Sequence, residues 1–238
     1  MARIIHCCWF GGPKTRLAEK CLASWRRFAP GWEIREWNEE KAREKWDGPG
    51  SQDGYGFFES AIKSKKWAMA SDWLRMMALY EEGGIYLDFD VELVAPIDRL
   101  PDGEWVAGEW TANGGVWMNP GSGIALEKGS AVARHMLDAY ANLQFDPNRE
   151  MMTWINERLG ETTLCKLDPE VMSPIGVDGK SRRSERTVAV HCYAMSWATK
   201  RRKFARWLSW HGMKGIVDGL LRLRRGVLSA AERTVCRS

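Results

Sequence analysis

The stretch that most constrains this 238-residue chain is Gly83–Asp90, where two glycines and a short apolar run lead directly into an Asp-Phe-Asp triplet. The apolar run, 85–87, predicts a brief buried strand, because short apolar runs between turn signals are typical of strands inside α/β sheets. Residues two apart in an extended chain project to one side, so Asp88 and Asp90 are predicted to direct both carboxylates at one point. Carboxylate oxygens are hard ligands, which suits Mg²⁺ or Mn²⁺.

A D-x-D triplet alone is a weak signal, since with 12 Asp in the chain a chance occurrence is expected in about half of such sequences. The alternative to a metal site is a solvent-exposed strand end without a functional role. The preceding Gly-Gly turn places the triplet at the carboxyl edge of a sheet, where ligands bind in open α/β folds. Asp72 and Arg75 lie one helical turn apart and face the same crevice, although an intrahelical ion pair is the better explanation of their spacing alone.

The rest of the chain alternates between strand and helix patterns, which predicts an α/β domain. Strands are predicted at 3–10, 32–37, 104–110, 115–118 and 187–191, and helices at 17–28, 57–82, 131–142 and 151–159. Thr15 is predicted to cap the first helix, and Gly83 and Gly84 to close the longest one in left-handed conformations. Residues 47–56, dense in Gly, Pro and Asp, are predicted to form a loop.

Charge divides the chain near Lys200: residues 200–238 carry a net charge of +9, which leaves −5 for residues 1–199. The tail predicts basic amphipathic helices that bind an anionic partner, a membrane surface or a nucleic acid, and we expect the membrane surface. Phe204, Trp207 and Trp210 would lie at the interface, with the Arg residues toward the headgroups. The alternative is a helical pair packed on the main domain or on another subunit. No apolar stretch is long enough to span a bilayer.

The six cysteines show no C-x-x-C spacing, and the chain begins without the long apolar stretch of a signal peptide. We therefore expect buried, reduced thiols and a cytoplasmic location. His191 beside Cys192 suggests a zinc ligand pair, but zinc sites need further ligands at recognisable spacing.

Four segments, in this order, together resemble the DXD-containing glycosyltransferase family 32: residues 4–12 (IIHCCWFGG), 70–75 (ASDWLR), 80–91 (YEEGGIYLDFDV) and 191–197 (HCYAMSW). That family includes capsular-polysaccharide sugar transferases and yeast mannosyltransferases, and is related to the sugar-transferring domains of large clostridial toxins. The resemblance covers roughly residues 3 to 199. It implies a single α/β domain of GT-A type, residues 1–199, with a Rossmann-like nucleotide-binding central sheet flanked by helices and followed by the tail.

The resemblance also implies roles for residues near the D-x-D triplet. Trp9 would stack on the nucleotide base, Asp72 and Arg75 would hold hydroxyls of the donor sugar, and the ring of Tyr86 would lie against the donor. Asp88 would sit near ribose, sugar and metal. Asp90 would be the direct metal ligand. Without the resemblance, core packing is the expected role of Trp9.

Further roles are implied near the end of the resemblance. His191 would complete the metal shell, whereas a lone histidine at a strand end is usually a hydrogen-bonded structural residue. Ser196 and Trp197 would contact the metal and the diphosphate. Asn113 is a candidate on the acceptor side, and a Gly-rich strand start explains its segment equally well.

The function implied is metal-dependent transfer of a sugar, with retention of configuration, from a nucleotide-sugar donor to a glycan, lipid-linked or other hydroxyl acceptor. A UDP-sugar is the first expectation and GDP-mannose the second, with Mn²⁺ or Mg²⁺ as cofactor. The tail suggests an enzyme on the cytoplasmic face of the membrane. The alternative is a non-catalytic protein that binds membranes or nucleic acids and has a degenerate acidic site. A phosphodiester hydrolase would need more acidic or histidine ligands.

Overall fold

The computed structural model describes residues 1–46, 54–111, 114–176 and 179–194, together with Phe204. The predicted tail helices lie outside the described residues, so the division into 1–199 and 200–238 stays a prediction. The predicted site residues Asn113, Ser196 and Trp197 also lie outside them.

Short strands and mostly longer helices alternate along the chain. The strands are β1 (Ile4–Cys8), β2 (Glu33–Trp37), β3 (Gly84–Tyr86), β4 (Val91–Leu93), β5 (Trp105–Trp110), β6 (Val116–Met118), β7 (Ile124–Leu126), β8 (Cys165–Leu167) and β9 (Ala189–His191). The helices are α1 (Arg16–Phe28), α2 (Glu39–Trp46), α3 (Tyr55–Lys63), α4 (Trp67–Glu82), α5 (Ala131–Asn142), α6 (Met151–Gly160) and α7 (Pro169–Met172), with a 3₁₀ turn at Ile97–Arg99.

Seven strands form one mixed sheet in the order β2-β1-β3-β7-β5-β6, with β8 paired to β5. β1 is parallel to β2 and β3, and β5 is parallel to β8. The pairs β3–β7, β5–β7 and β5–β6 are antiparallel. β4 and β9 pair with each other as a separate antiparallel ribbon.

The central strands are buried on both faces, since side chains of alternate residues enter different cores. Tyr86 and Val106 belong to the core that contains residues of α3 to α6. Ile85, Leu87 and Trp105 belong to the opposite core, beside α1 and the ribbon. The sheet is thus the middle layer of the domain, as expected for an α/β fold.

Helix α1 joins the ribbon to the sheet. Thr15 caps it, accepting a hydrogen bond of 3.2 Å from the Ala18 backbone, as predicted. Its buried face includes Trp25, whose indole N–H donates to the Val91 carbonyl at 2.7 Å. Ser24 Oγ also accepts from the Leu93 backbone at 3.0 Å, so α1 holds strand β4 in place.

The predicted long helix over 57–82 is wrong, because the structure has two helices, α3 and α4, with a break between them. Lys65 adopts a positive φ of 54°, which ends the helical path. The break allows the Phe58 and Trp73 rings to pack 5.0 Å apart in one core. Apolar residues recur at helical spacing on both sides of the break, and the break contains no Gly or Pro. The sequence pattern therefore did not reveal that the helix is interrupted.

Gly83 and Gly84 close α4 with positive φ values of 68° and 111°. The predicted left-handed cap is not formed, since Gly83 has ψ −177°. A Cβ on Gly84 would lie 2.6 Å from the Ile4 carbonyl oxygen. Glycine is therefore required for β1 and β3 to approach each other.

No disulfide links the cysteines within the described ranges, and Cys7, Cys8 and Cys21 are buried as predicted. Cys165 is exposed, so the expectation of a buried thiol is wrong there. Among the described helices, none combines the length and apolar character needed to cross a bilayer.

A pH dependence of stability follows from His6, which is fully buried under the sheet edge. The Trp37 indole N–H donates to His6 Nδ1 at 3.0 Å, and Nε2 lies 3.0 Å from the Gly83 carbonyl. An indole only donates, so Nδ1 must be unprotonated. Burial lowers the pKa of His6, and the Arg35 and Lys45 charges lower it further, against the raising effects of Gly83 and Glu82.

We predict that the free energy of unfolding falls as the pH drops below about 6.5, where the unfolded histidine gains a proton that the folded one resists. In His6→Gln, whose amide can accept from Trp37 and donate to Gly83, this fall should shrink. Urea unfolding at pH 7.5 and pH 5.5 measures it. Asn142→Gln, an exposed change at the end of α5 that alters no titratable group, is the control and should keep the wild-type dependence. An undiminished fall in His6→Gln would contradict the assignment.

Candidate active site

The candidate site lies at the carboxyl edge of the central sheet. β1 and β3 are parallel, so Trp9, after β1, and the D-x-D triplet, after β3, follow strands that end at the same edge. The rings of Trp9 and Phe89 pack edge-on with their centres 5.2 Å apart. Trp9 is partly exposed, and its indole N–H donates to the Gly12 carbonyl at 2.8 Å.

Asp88 is tied to the main sheet and to α4. Its Oδ1 accepts a hydrogen bond of 2.8 Å from the Tyr86 hydroxyl and lies 3.3 Å from Arg75 Nη2. Its backbone N–H donates to the Gly121 carbonyl at 2.9 Å. The Asp88 side chain remains 36% exposed, so its carboxylate is accessible to solvent.

Arg75 links Asp88 to Asp72 inside the protein. Its Nη1 donates to Asp72 Oδ1 at 2.9 Å, and its guanidinium lies 4.5 Å from the centre of the Tyr86 ring. Arg75 is 3% exposed and Asp72 is 9% exposed. Burial raises the pKa of Asp72 to about 6, although the Arg75 charge opposes the rise.

Asp90 is tied instead to the end of strand β9. Its Oδ2 accepts from the Ala194 backbone N–H at 2.7 Å, and its backbone carbonyl accepts from the Cys192 N–H at 2.8 Å. Its Oδ1 lies 3.4 Å from His191 Nε2. Burial raises the pKa of Asp90, but His191 and the Ala194 N–H outweigh burial, so the net pKa is lowered.

His191 has a polar partner at each ring nitrogen. Nδ1 lies 2.9 Å from the Ser122 hydroxyl, which is fully buried, and Nε2 faces Asp90. Burial lowers the pKa of His191, but the Asp90 carboxylate raises it more, giving a pKa of about 9. His191 therefore orients the Asp90 carboxylate in this structure.

The extended D-x-D geometry predicted from the sequence is wrong. Strand β3 ends at Tyr86, and the Val91 N–H donates to the Asp88 carbonyl at 3.0 Å, so the triplet forms a turn. The two aspartates are held by different parts of the fold, Asp88 by Arg75 and Tyr86 and Asp90 by His191 and Ala194. They remain close enough for the charge of Asp90 to raise the pKa of Asp88, after the larger effect of burial.

Three buried polar residues that the sequence analysis did not single out lie beside these acids: Glu109, Asn119 and Ser122. Asn119 Nδ2 donates to Glu109 Oε2, and Asn119 Oδ1 accepts from the Gly121 N–H at 3.0 Å. A signal for them exists in the N-P-G-S-G sequence at 119–123. It is a polar turn before a strand, and such turns line the ligand edge of α/β sheets.

The structure brings together the predicted residues that it describes: Trp9, Asp72, Arg75, Tyr86, Asp88, Asp90 and His191. Two of them occupy positions that differ from the implied roles. Tyr86 is completely buried beneath Arg75, so its ring offers no surface to a donor, and its hydroxyl orients Asp88 instead. His191 offers no free nitrogen to a metal, because both nitrogens face protein partners.

No group of three or more His, Cys, Asp or Glu side chains within the described part of the chain is arranged to hold a metal ion by itself. The donors that fit a hard cation are the Asp88 and Asp90 carboxylates. Other ligands would have to come from a bound substrate or from residues beyond those described.

A separate cavity of about 550 Å³ lies between α3 and α5, lined by residues such as Tyr55, Phe57, Ser60 and Leu143. None of the predicted site residues lines it. The acidic site and this cavity are therefore different places in the fold.

Residues 15–107 match the family described as "Glycosyltransferase sugar-binding region containing DXD motif". The matched segment contains Asp72, Arg75, Asp88 and Asp90. It ends before the site residues that come later in the chain, which are Glu109, Asn119, Ser122 and His191. The match confirms the resemblance to DXD-containing glycosyltransferases that the sequence analysis found.

Two curated relatives are similar in sequence. The chain is 32% identical over 123 residues to a protein named Toxin Afp18 from Yersinia ruckeri serotype O1, covering 50% of this chain and 5% of that protein. It is 35% identical over 94 residues to a protein named Toxin from Photorhabdus asymbiotica subsp. asymbiotica, covering 38% of this chain and 3% of that protein. The matched segments thus span a small fraction of the length of these relatives.

A solved structure named PaToxG Glycosyltransferase has a similar fold. The TM-score is 0.52 with 19% sequence identity, covering 66% of this chain and 68% of that chain. At this identity the similarity concerns the fold alone. It confirms the predicted fold class, a mixed α/β domain of GT-A type with a central sheet flanked by helices.

We predict that Arg75→Met lowers the free energy of unfolding by roughly 3–5 kcal/mol, because it leaves the carboxylates of Asp72 and Asp88 without their buried cation. Adding Asp72→Asn should recover part of the loss. Urea denaturation measures both changes. Arg3→Met, which removes an exposed ion pair, is the control and should change stability little. Equal losses in the two arginine variants would contradict a buried ionic link.

Proposed function

We propose that this chain, whose residues 15–107 match a DXD-containing glycosyltransferase sugar-binding region, is a metal-dependent glycosyltransferase. The proposed donor is a nucleotide sugar, a UDP-sugar first and GDP-mannose second. The acceptor is a hydroxyl group of a glycan, a lipid-linked glycan or another molecule. The observation that carries the proposal is the excess of negative charge at the carboxyl edge of the sheet.

That excess favours a divalent cation. Three carboxylates, those of Asp72, Asp88 and Asp90, contact only two cationic groups, Arg75 and His191. Even with His191 protonated, one negative charge remains uncompensated. Burial makes uncompensated charge costly, so the site is stabilised by a bound cation. The hard carboxylate oxygens favour Mn²⁺ or Mg²⁺.

Asp90 is the carboxylate best suited to bind the proposed metal ion. A metal ligand must be deprotonated, and the lowered pKa of Asp90 keeps it so. The Ala194 N–H and His191 fix the direction of its two oxygens, as neighbours of metal ligands commonly do. A bound divalent cation would neutralise negative charge on a leaving diphosphate.

Trp9 supports a nucleotide on the same edge. Its ring is partly exposed beside the D-x-D turn and is held in position by Phe89 and by the Gly12 carbonyl. An aromatic ring fixed in this way is suited to stack on a base. Arg75 and Asp72, which lie next to Asp88 on this edge, are the proposed contacts of the donor sugar.

In the proposed reaction the acceptor hydroxyl forms a bond to the anomeric carbon as the bond to the diphosphate oxygen breaks, with the configuration retained. The chain contributes position and electrostatic stabilisation, since the described site offers fixed dipoles and charges. Incubation with Mn²⁺ and a panel of UDP- and GDP-sugars tests the proposal through release of the free nucleotide diphosphate. Binding of anionic vesicles without any release would favour the non-catalytic alternative.

We predict that Asp90→Asn reduces metal-dependent release of nucleotide diphosphate by at least about 100-fold, because it removes the charge that holds the cation. Its melting temperature should also fall, because the buried His191 loses its partner, so turnover is measured well below that temperature. Asp98→Asn is the matched control, since Asp98 pairs with Arg3 at the exposed surface. Near-normal turnover of Asp90→Asn with added Mn²⁺ would overturn the metal assignment.

We also predict that Gly121→Ala reduces turnover while the domain stays folded. An added Cβ would lie 2.4 Å from Asp88 Oδ2 and 3.1 Å from Asn119 Oδ1, so the Asp88 carboxylate must move. A misplacement of about 1 Å costs on the order of 100-fold in rate. Gly160→Ala, whose Cβ would meet nothing within 4 Å, is the control. Turnover and melting temperature, measured together, separate a site effect from unfolding.

A further inference from the structure

The roles proposed above leave one buried carboxylate near the site, that of Glu109, without a part in the reaction. Glu109 is 9% exposed, and among the described residues it makes no ion pair with a Lys or Arg. Its Oε2 accepts a hydrogen bond from Asn119 Nδ2. A buried carboxylate that makes no ion pair is costly to keep, and such groups concentrate at functional sites.

The strand register places Glu109 at the same edge as the D-x-D turn. β3 and β5 are both antiparallel to β7, so they run in the same direction. Tyr86 and Val106 both pair with Ile124, so Glu109 lies three residues beyond the level at which β3 ends, on the same side as the D-x-D turn. With β7 between them, β3 and β5 lie about 10 Å apart at normal strand spacing.

The 119–123 turn links Asp88 to Glu109. The Gly121 carbonyl accepts a hydrogen bond from the Asp88 N–H, and the Gly121 N–H donates to the Asn119 side chain. Asn119 in turn donates to Glu109. One hydrogen-bonded chain therefore connects the backbone of Asp88 to the carboxylate of Glu109.

An aromatic ring stands beside Glu109. Trp117 pairs directly with Glu109 across β5 and β6, so their side chains project from the same face with Cβ atoms about 5 Å apart. Trp117 is partly exposed. Its indole N–H is buried and has no hydrogen-bond partner among the described residues. A ring, a carboxylate and an amide on one surface suit a polyhydroxyl ligand, because the ring packs on C–H groups while the polar groups bond hydroxyls.

We propose that Glu109 is the acceptor-side carboxylate of the site: it accepts a hydrogen bond from the attacking hydroxyl and orients that hydroxyl, with Trp117 packing on the acceptor. This inference rests on the proposed glycosyltransferase function. The hydroxyl oxygen bonds to the anomeric carbon, the bond from that carbon to the diphosphate breaks, and the hydroxyl proton passes to the diphosphate. Glu109 is unchanged at the end of the reaction.

The test uses the full chain with Mn²⁺ and the nucleotide sugar that the wild type turns over fastest in the donor panel, with water and methanol as acceptors. Glu109→Gln and Glu109→Ala should bind that donor and UDP with wild-type dissociation constants and keep the wild-type melting temperature. Their kcat should fall about 100-fold, since the attacking hydroxyl loses its orientation. Added formate should restore part of the kcat of Glu109→Ala, because it supplies the missing carboxylate.

Glu157→Gln, an exposed change on α6, is the matched control and should leave every quantity unchanged. Near-normal kcat in Glu109→Gln would overturn the inference and leave the proposed function standing. Loss of donor binding or of thermal stability, without formate rescue, would also overturn it, since Glu109 would then only support Asn119 and Asp88. A wild type that turns over none of the donors would overturn the proposed function, and the inference with it.

Discussion

The buried guanidinium of Arg75 is the interaction on which the site depends most. It bridges Asp72, one turn earlier on α4, and Asp88, beyond the end of β3, and it covers the Tyr86 ring. A helix and a strand end are thereby joined by charge through a guanidinium that is almost fully buried. Such links contribute little net stability compared with apolar packing, but removing one partner is costly. Arg75 therefore acts mainly to fix where the Asp88 carboxylate lies.

The second aspartate belongs to a different part of the fold. Asp90 is held at the end of the ribbon formed by β4 and β9. Among the described residues, this ribbon packs on α1 and does not pair with a strand of the main sheet. The D-x-D turn thus spans two structural units, with Asp88 fixed by one and Asp90 by the other. Their relative placement depends on the packing of α1 and the ribbon against the sheet, through contacts such as Trp25 with Val91 and with Phe89.

The sequence predicts the elements whose signals are local. The strands β1 and β2 and the helices α1, α5 and α6 agree with their predicted ranges to within two residues. The nearness of Asp72, Arg75 and Asp88 follows from one helical turn and a strand end, and the structure shows it. The turn at Asp88–Asp90 is set by partners such as Ala194, 104 residues away, which no local pattern encodes. Glu109 escaped notice for the same reason, since its position depends on three strand pairings.

The pairing of β4 with β9 also bears on the order in which the chain can assemble. Val91 pairs with His191, so the ribbon closes a loop of about a hundred residues, whereas β1, α1 and β2 are neighbours in the sequence. Contacts of such large separation form late, because the entropy of closing the loop must be met first. During synthesis the first strands of the sheet can emerge and pack while Asp90 still lacks its contacts with His191 and Ala194. The contacts that hold the Asp90 carboxylate can therefore form only after residue 194 has been synthesised.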